Sequence, residues 1–154
     1  SLYNHIDSLE SLLREIAHNG MKTMNERMMQ AAIGKIGDDA IKSVGITYLN
    51  YMIEHPGIYE TIQWATWHGT EETGKIFDNY LSLLKTLALS CNFNPVNIDE
   101  ILNLLTGVLH GYTTLQLRYA FTKPDEVRTA LSAALDTVLA GLHQKYDQHE
   151  KEHL

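Results

Sequence analysis

From Ile98 to Phe121 the chain carries only three charged residues, Asp99, Glu100 and Arg118, and its apolar residues point all round a helical wheel. A helix that is apolar on every side must be buried on most sides. A chain with such a segment has to supply a coat of further helices, or share one with a second copy of itself. The uncharged stretch within it, Ile101 to Leu117, still contains Asn103, His110, Thr113, Thr114 and Gln116. That content suits burial in protein rather than in lipid, so no membrane partner is expected.

The rest of the chain reads as the coat. Its only prolines, Pro56, Pro95 and Pro124, each mark a boundary. Asp7 with Glu10 three residues on is a capping-box pattern that predicts a helix from about Ser8. Leu9, Leu12, Leu13, Ile16, Met24, Met28 and Ala31 recur at mostly helical spacings and carry it to near Ile36. Gly37-Asp38-Asp39 is a break and a new cap. The next helix runs from about Asp39 to Glu54 and stops before His55-Pro56, because the residue ahead of a proline avoids the helical region. Pro56 suits the first turn of a short helix to about Ala65. Thr70-Glu71-Glu72 opens another to about Ser90, and Asn92 to Asn97 is a loop. Asn97 with Glu100 caps the apolar helix, and Lys123-Pro124-Asp125-Glu126 starts the last, to about Tyr146. The polar tail DQHEKEHL is expected to fray. The expected fold class is all-α, a bundle of about six helices in one domain of 154 residues. A chain of that length buries roughly 68–70% of its unfolded surface and needs no staples.

Composition excludes several roles. The formal net charge of −7 argues against this piece gripping DNA phosphates unaided. One cysteine, Cys91, forbids an intrachain disulfide and reads as a small buried hydrophobe. Nothing resembles a leader peptide, and a cytoplasmic location is expected. His68, His110, His149 and the tail pair Glu150 and His153 do not converge into a ligand set, so no metal and no cofactor is expected. No GxSxG, P-loop or dinucleotide glycine pattern occurs, and no enzyme activity is expected.

The last two helices look built for close packing. Gly107 and Gly111 lie one turn apart in the apolar helix. The final helix carries Leu131, Leu135, Val138 and Leu142 at heptad-like spacing, with Ala130, Ala133, Ala134 and Gly141 between them. The expectation is a two-fold homodimer in which these two helices meet their copies in a four-helix interface.

Three stretches resemble TetR-family transcriptional regulators. Leu2-Tyr3-x-His5-Ile6, followed by Leu12-Leu13, resembles the close of that family's DNA-binding head. Ile6 replaces the usual Phe, and Leu9 replaces a frequent Lys that helps hold a phosphate. YLNYMIEHPGIYETI and LTGVLHGYTTLQL resemble segments of the family's ligand-binding body. The resemblance implies that residues 1–18 are the remnant of a helix-turn-helix head, residues 19–147 the ligand-binding and dimerisation domain, and 148–154 a frayed tail. It implies a ligand-responsive regulator, a repressor by expectation, that binds operator DNA only as the full-length protein. Tyr3 and His5 would touch phosphate, because the base-reading residues stand at the other end of a recognition helix, or would pack the head against the body, an alternative of equal weight for His5. The alternative is a stand-alone helical small-molecule-binding or scaffold module without DNA binding.

Seven of the thirteen aromatic residues fall between positions 48 and 80: Tyr48, Tyr51, Tyr59, Trp64, Trp67, Phe77 and Tyr80. With Met52 and the methionines Met24, Met28 and Met29 they can fill a core or line a pocket. The resemblance favours a pocket for a small apolar or aromatic effector, with His110, Thr106 and Thr114 supplying polar groups and Tyr112, Gln63 and His68 as further candidates.

Overall fold

The computed structural model describes residues 1–119 and 123–148. They form six α-helices: α1 Leu2–Ala32, α2 Gly37–Glu54, α3 Pro56–His68, α4 Glu71–Leu89, α5 Ile98–Tyr119 and α6 Pro124–Tyr146, with a 3₁₀ turn Pro95–Asn97 before α5. The expected end of the fifth helix at Phe121 and the tail residues His149, Glu150 and His153 lie outside the described residues.

α2 is the hub, in contact with every other helix, while α1 packs on α2, α3 and α4 and α5 pairs with α6. Two glycines allow the closest approaches. A Cβ on Gly20 would overlap Ile58 Cγ2, so α1 crosses α3 almost backbone to side chain. A Cβ on Gly45 would stand 2.9 Å from Leu109 and 3.1 Å from Leu135, which seats α5 and α6 on bare α2 backbone.

The boundaries follow the prolines but not every cap. α1 is unbroken from Leu2, where a helix from Ser8 was expected. The Ser1 hydroxyl accepts from the Asn4 N–H, and no proline or glycine interrupts the chain before Gly20. Asp7 is therefore mid-helix rather than a cap, and α1 runs without a break across the expected boundary after residue 18. The first half of α1, to Ile16, projects with exposed or half-buried side chains, and burial begins at Ala17. α1 ends at Ala32, short of Ile36, and Gly34 and Gly37 take the left-handed conformations of the turn, at φ +75° and +64°. α3 continues one turn past Ala65, to His68. Asn94 caps the 3₁₀ turn by accepting from the Val96 N–H, and that turn runs directly into α5, so Asn97 is not the cap.

The far end of α6 is tied back to the bundle. The Asn94 N–H donates to the Tyr146 carbonyl at 2.8 Å and the Gln148 N–H to the Asn92 carbonyl at 3.0 Å. His143 stands between two carboxylates, with Nε2 2.7 Å from Asp38 and Nδ1 bonded to Asp147. Both ring nitrogens donate only when the imidazole is charged. Burial alone would lower its pKa, but the bonds to Asp147 and Asp38 outweigh burial and raise it. Cys91 lies buried nearby, its thiol pushed up to about 12 by burial and by Asp38.

Candidate functional site

Three rings from three helices meet in the core. Tyr48 of α2 is 1% exposed and Tyr80 of α4 is 3% exposed, and His110 of α5 is half-buried between them. Ring centroids lie 6.1 Å apart for Tyr48 and Tyr80, 5.4 Å for Tyr48 and His110, and 6.4 Å for Tyr80 and His110. These separations are those of tilted and edge-on aromatic pairs. Phe77, one turn before Tyr80, meets the Tyr80 ring edge-on at 6.1 Å. Met52 is buried one turn beyond Tyr48. Tyr59 of α3 is buried as well, and its hydroxyl is hydrogen-bonded to Thr114 of α5. The candidates Tyr48, Phe77, Tyr80 and His110 are thus brought together, with Tyr59 and Thr114 bridging α3 to α5.

The polar atoms of this cluster are unevenly satisfied. Tyr48 and His110 share a hydrogen bond, hydroxyl to Nδ1, at 3.2 Å. The Tyr80 hydroxyl is buried and has no hydrogen-bond partner among the described residues. A buried hydroxyl left unpaired costs about 1–3 kcal/mol, and native proteins leave few of them. Burial pushes both tyrosines up, Tyr48 with added repulsion from Tyr80 and Tyr59, and burial pulls His110 down. Burial is the largest cause of all three shifts. It disfavours charge in this cluster.

Other expected site residues lie elsewhere. Trp67 is 87% exposed on the last turn of α3 and is not a core residue. It lines a surface groove of about 520 Å³ with Thr70, Thr73, Gly74 and Phe77. Trp64 stacks on His68 at 4.8 Å and lies under the Arg14 guanidinium, facing α1. The Thr106 hydroxyl donates to the Leu102 carbonyl of its own helix at 2.8 Å, so it is not a free polar group of a pocket. Helical spacing placed Thr106 one turn from His110, but a threonine mid-helix often bonds back to its own backbone.

A contact that spacing could not disclose joins α1 to α4. His18 Nε2 and the Thr73 hydroxyl are 2.6 Å apart, both residues buried, at the N-terminal end of α4. Thr73 also accepts from the Thr70 N–H in the capping box of α4 and lines the groove. Fifty-five residues separate the two partners, and the capping box of Thr73 says nothing of His18. A histidine in the middle of an otherwise methionine-lined helix face was the one available hint.

The expected dimer residues divide in two. Leu131, Leu135 and Leu142 are buried within the chain, together with Val127 and Leu139, and Val138 packs half-buried against the same core. Their heptad spacing marks the intramolecular face of α6, because α2 and α5 already supply the surface they need. Gly107 and Gly111 are exposed on α5, with nothing within 4 Å of an added Cβ. Leu104 and Leu115 beside them are exposed too. On α6 the exposed positions include Ala133, Thr137, Ala140, Gly141 and Gln144, together with the charged Asp125, Glu126, Asp136 and Lys145 and with Thr129. Tyr3 and His5 are exposed on the projecting part of α1, beside a stripe of exposed Leu2, Ile6, Leu9, Leu12 and Ile16.

Among the described residues no group of three or more potential ligands could hold a metal, and no helix is long and apolar enough to cross a membrane.

The described residues form an all-α bundle of six helices with a cluster of three rings, Tyr48, Tyr80 and His110, at its core. Residues 41–138 match the family described as Tetracyclin repressor-like, C-terminal domain, from within α2 to within α6. The chain belongs to this family, the TetR family of transcriptional regulators. It is 28% identical over 143 residues to the uncharacterized HTH-type transcriptional regulator YobS of Bacillus subtilis (strain 168), covering 92% of this chain and 74% of that protein. It is 36% identical over 59 residues to the uncharacterized HTH-type transcriptional regulator Rv0681 of Mycobacterium tuberculosis (strain ATCC 25618 / H37Rv), covering 38% of this chain and 27% of that protein. A 25% identity over 134 residues links it to a tRNA-2-methylthio-N(6)-dimethylallyladenosine synthase of Ralstonia pickettii (strain 12J), of which it covers 27%.

Proposed function

We propose that this chain is the effector-binding and dimerising part of a ligand-responsive repressor. The observation that carries the reading is the convergence of Tyr48, Tyr80 and His110, from α2, α4 and α5, with Phe77, which packs on Tyr80 and also lines a surface groove. The reading assigns binding rather than catalysis, in the cytoplasm, without metal or cofactor. A small apolar or aromatic effector enters along the groove and settles against these rings.

The signal leaves through α1. A ligand against Phe77 and Thr73 bears on the Thr73–His18 bond and so on α1. The projecting part of α1, residues 2–16, is about 22 Å long at 1.5 Å per residue. A tilt of about 10° would displace its tip by about 4 Å. The apolar stripe along it supports a helix-turn-helix head packed there in the longer protein, with Tyr3 and His5 near phosphate. Two heads must stand about 34–36 Å apart to reach successive major grooves, so such tilts spoil the fit. Reversing the balance between DNA-competent and incompetent states requires the effector to prefer one by about 5.5 kcal/mol. The exposed faces of α5 and α6 around Gly107, Gly111, Ala140 and Gly141 supply the seam of a homodimer.

The test uses the 154-residue chain and the longer protein with its head. Light scattering should give twice the 17.4 kDa chain mass. The longer protein should retard its own upstream DNA in a gel, the 154-residue chain should not, and a compound that raises the melting midpoint of the chain should release the DNA. Monomers at high concentration, or retardation by the short chain alone, would refute the proposal.

A further inference from the structure

We infer that the effector is an uncharged aromatic compound that offers a hydrogen-bond-accepting oxygen to the Tyr80 hydroxyl. This rests on the reading of the Tyr48–Tyr80–His110 cluster as the effector site.

The chemistry follows from what the cluster has and lacks. It has a buried donor to offer. The neighbouring hydroxyls already share hydrogen bonds, Tyr48 with His110 and Tyr59 with Thr114, while Tyr80 is buried without a partner among the described residues. An incoming acceptor oxygen gains a full hydrogen bond there and leaves no other bond broken. The site lacks charge. Burial lowers the pKa of His110, and burial with the neighbouring tyrosines accounts for the shifts of the three rings. Pairs such as Arg118–Glu60 and Lys42–Asp136 instead join exposed or half-buried side chains. A carboxylate or ammonium entering the cluster would be stripped of water and find no counter-charge, so ionised ligands are rejected. An aromatic ligand suits these neighbours, because Phe77, Tyr80, Tyr48 and His110 form a cluster of rings with centroids 5.4–6.4 Å apart, to which a further ring can add an edge-on or tilted contact. Phe77 belongs both to the groove and to the ring cluster, so the groove is the nearest described surface from which a ligand could reach the rings.

The test compares matched probes in two sizes on the 154-residue chain: acetophenone, ethylbenzene and benzoate, and 1-acetonaphthone, 1-ethylnaphthalene and 1-naphthoate. Affinities are measured by calorimetric titration for the natural chain and for Tyr80→Phe. In at least one size class the ketone should bind about tenfold tighter than the hydrocarbon of the same shape, the worth of one buried hydrogen bond. The carboxylate should bind weakest. Tyr80→Phe should erase the advantage of the ketone and leave the hydrocarbon unchanged. In the free protein the same substitution should leave the melting midpoint level or higher, because it removes only an unpaired hydroxyl. Equal binding of ketone and hydrocarbon, a carboxylate that binds as well as the ketone, or a Tyr80→Phe chain that melts several degrees lower would each overturn the inference while leaving the site standing. Absence of binding by all six probes would remove the site, and the inference with it.

Discussion

Leu135 separates a core residue from a seam residue by experiment. Its side chain is 0% exposed within one chain and lies against α2 at Gly45, where the nearest wall is bare backbone. Truncation to alanine leaves a void that a rigid helix backbone fills poorly, so the cost belongs in the usual range of about 2–5 kcal/mol for a buried leucine. For a chain of this size each kcal/mol moves the melting midpoint by about 2–4 °C, so a loss near 3 kcal/mol lowers it by about 6–12 °C. Gly107→Leu is the converse perturbation. Nothing lies within 4 Å of a Cβ at Gly107, and replacing a mid-helix glycine by leucine gains most of about 1 kcal/mol in helix propensity. The single chain should be as stable or slightly more so, while a bulky side chain on the outer face should drive two copies apart. Thermal melts paired with light scattering read both properties. Leu135→Ala should melt early and remain dimeric below its transition; Gly107→Leu should stay folded and become monomeric. A Leu135→Ala chain that kept its midpoint within about 2 °C and lost the dimer would refute this division, for then the heptad leucines would be the seam after all.

Other outcomes depend on single contacts. Gly20→Ala places a methyl on top of Ile58 Cγ2, and the clash should outweigh the propensity gain, for a net loss of about 1–2 kcal/mol in urea titration; a more stable variant would contradict the α1–α3 crossing. Thr73→Val keeps the shape but removes the hydroxyl that meets His18, and should cost about 1–3 kcal/mol by the same measurement; an unchanged midpoint would show that the bond does not tie α1 to α4. His143 is held charged by Asp38 and Asp147, with its folded pKa raised. Its contribution is therefore complete below the unfolded value of about 6.5 and disappears as pH rises through the folded value. The stability gap between the natural chain and His143→Gln should be widest at about pH 6 and narrow toward about pH 9, and a gap that widens with pH would contradict the assignment.

The fold was readable because its punctuation is local. Pro56 and Pro124 stand at helix starts, and Thr70 caps α4, each by chemistry confined to one turn. The charge-poor stretch after Ile98 did become the long helix α5. Periodicity failed where two surfaces compete for the same face. Leu131, Leu135 and Leu142 mark an apolar face, but spacing does not say whether a neighbouring helix or another copy covers it. Trp67 illustrates the same limit, since a large ring near a helix end is as free to face water as to face the core. Asp7 looked like a cap because its neighbours had the right pattern, and an uninterrupted helix from Leu2 overrode it. The Tyr48–Tyr80–His110 meeting was legible only as a set of suitable residues. Their geometry depends on how α2, α4 and α5 cross, and the vacant hydrogen bond at Tyr80 is visible only after the crossing is known.

The silence of Cys91 has a practical use. A thiol that is buried and held near pKa 12 stays protonated at neutral pH and gives reagents almost no thiolate to attack. Asn4→Cys, on the exposed outer turn of α1, would then offer the sole reactive sulfur per subunit. Spin or dye reporters attached there would turn a pair of subunits into a molecular ruler, and adding a candidate effector would show directly how far the two tips travel.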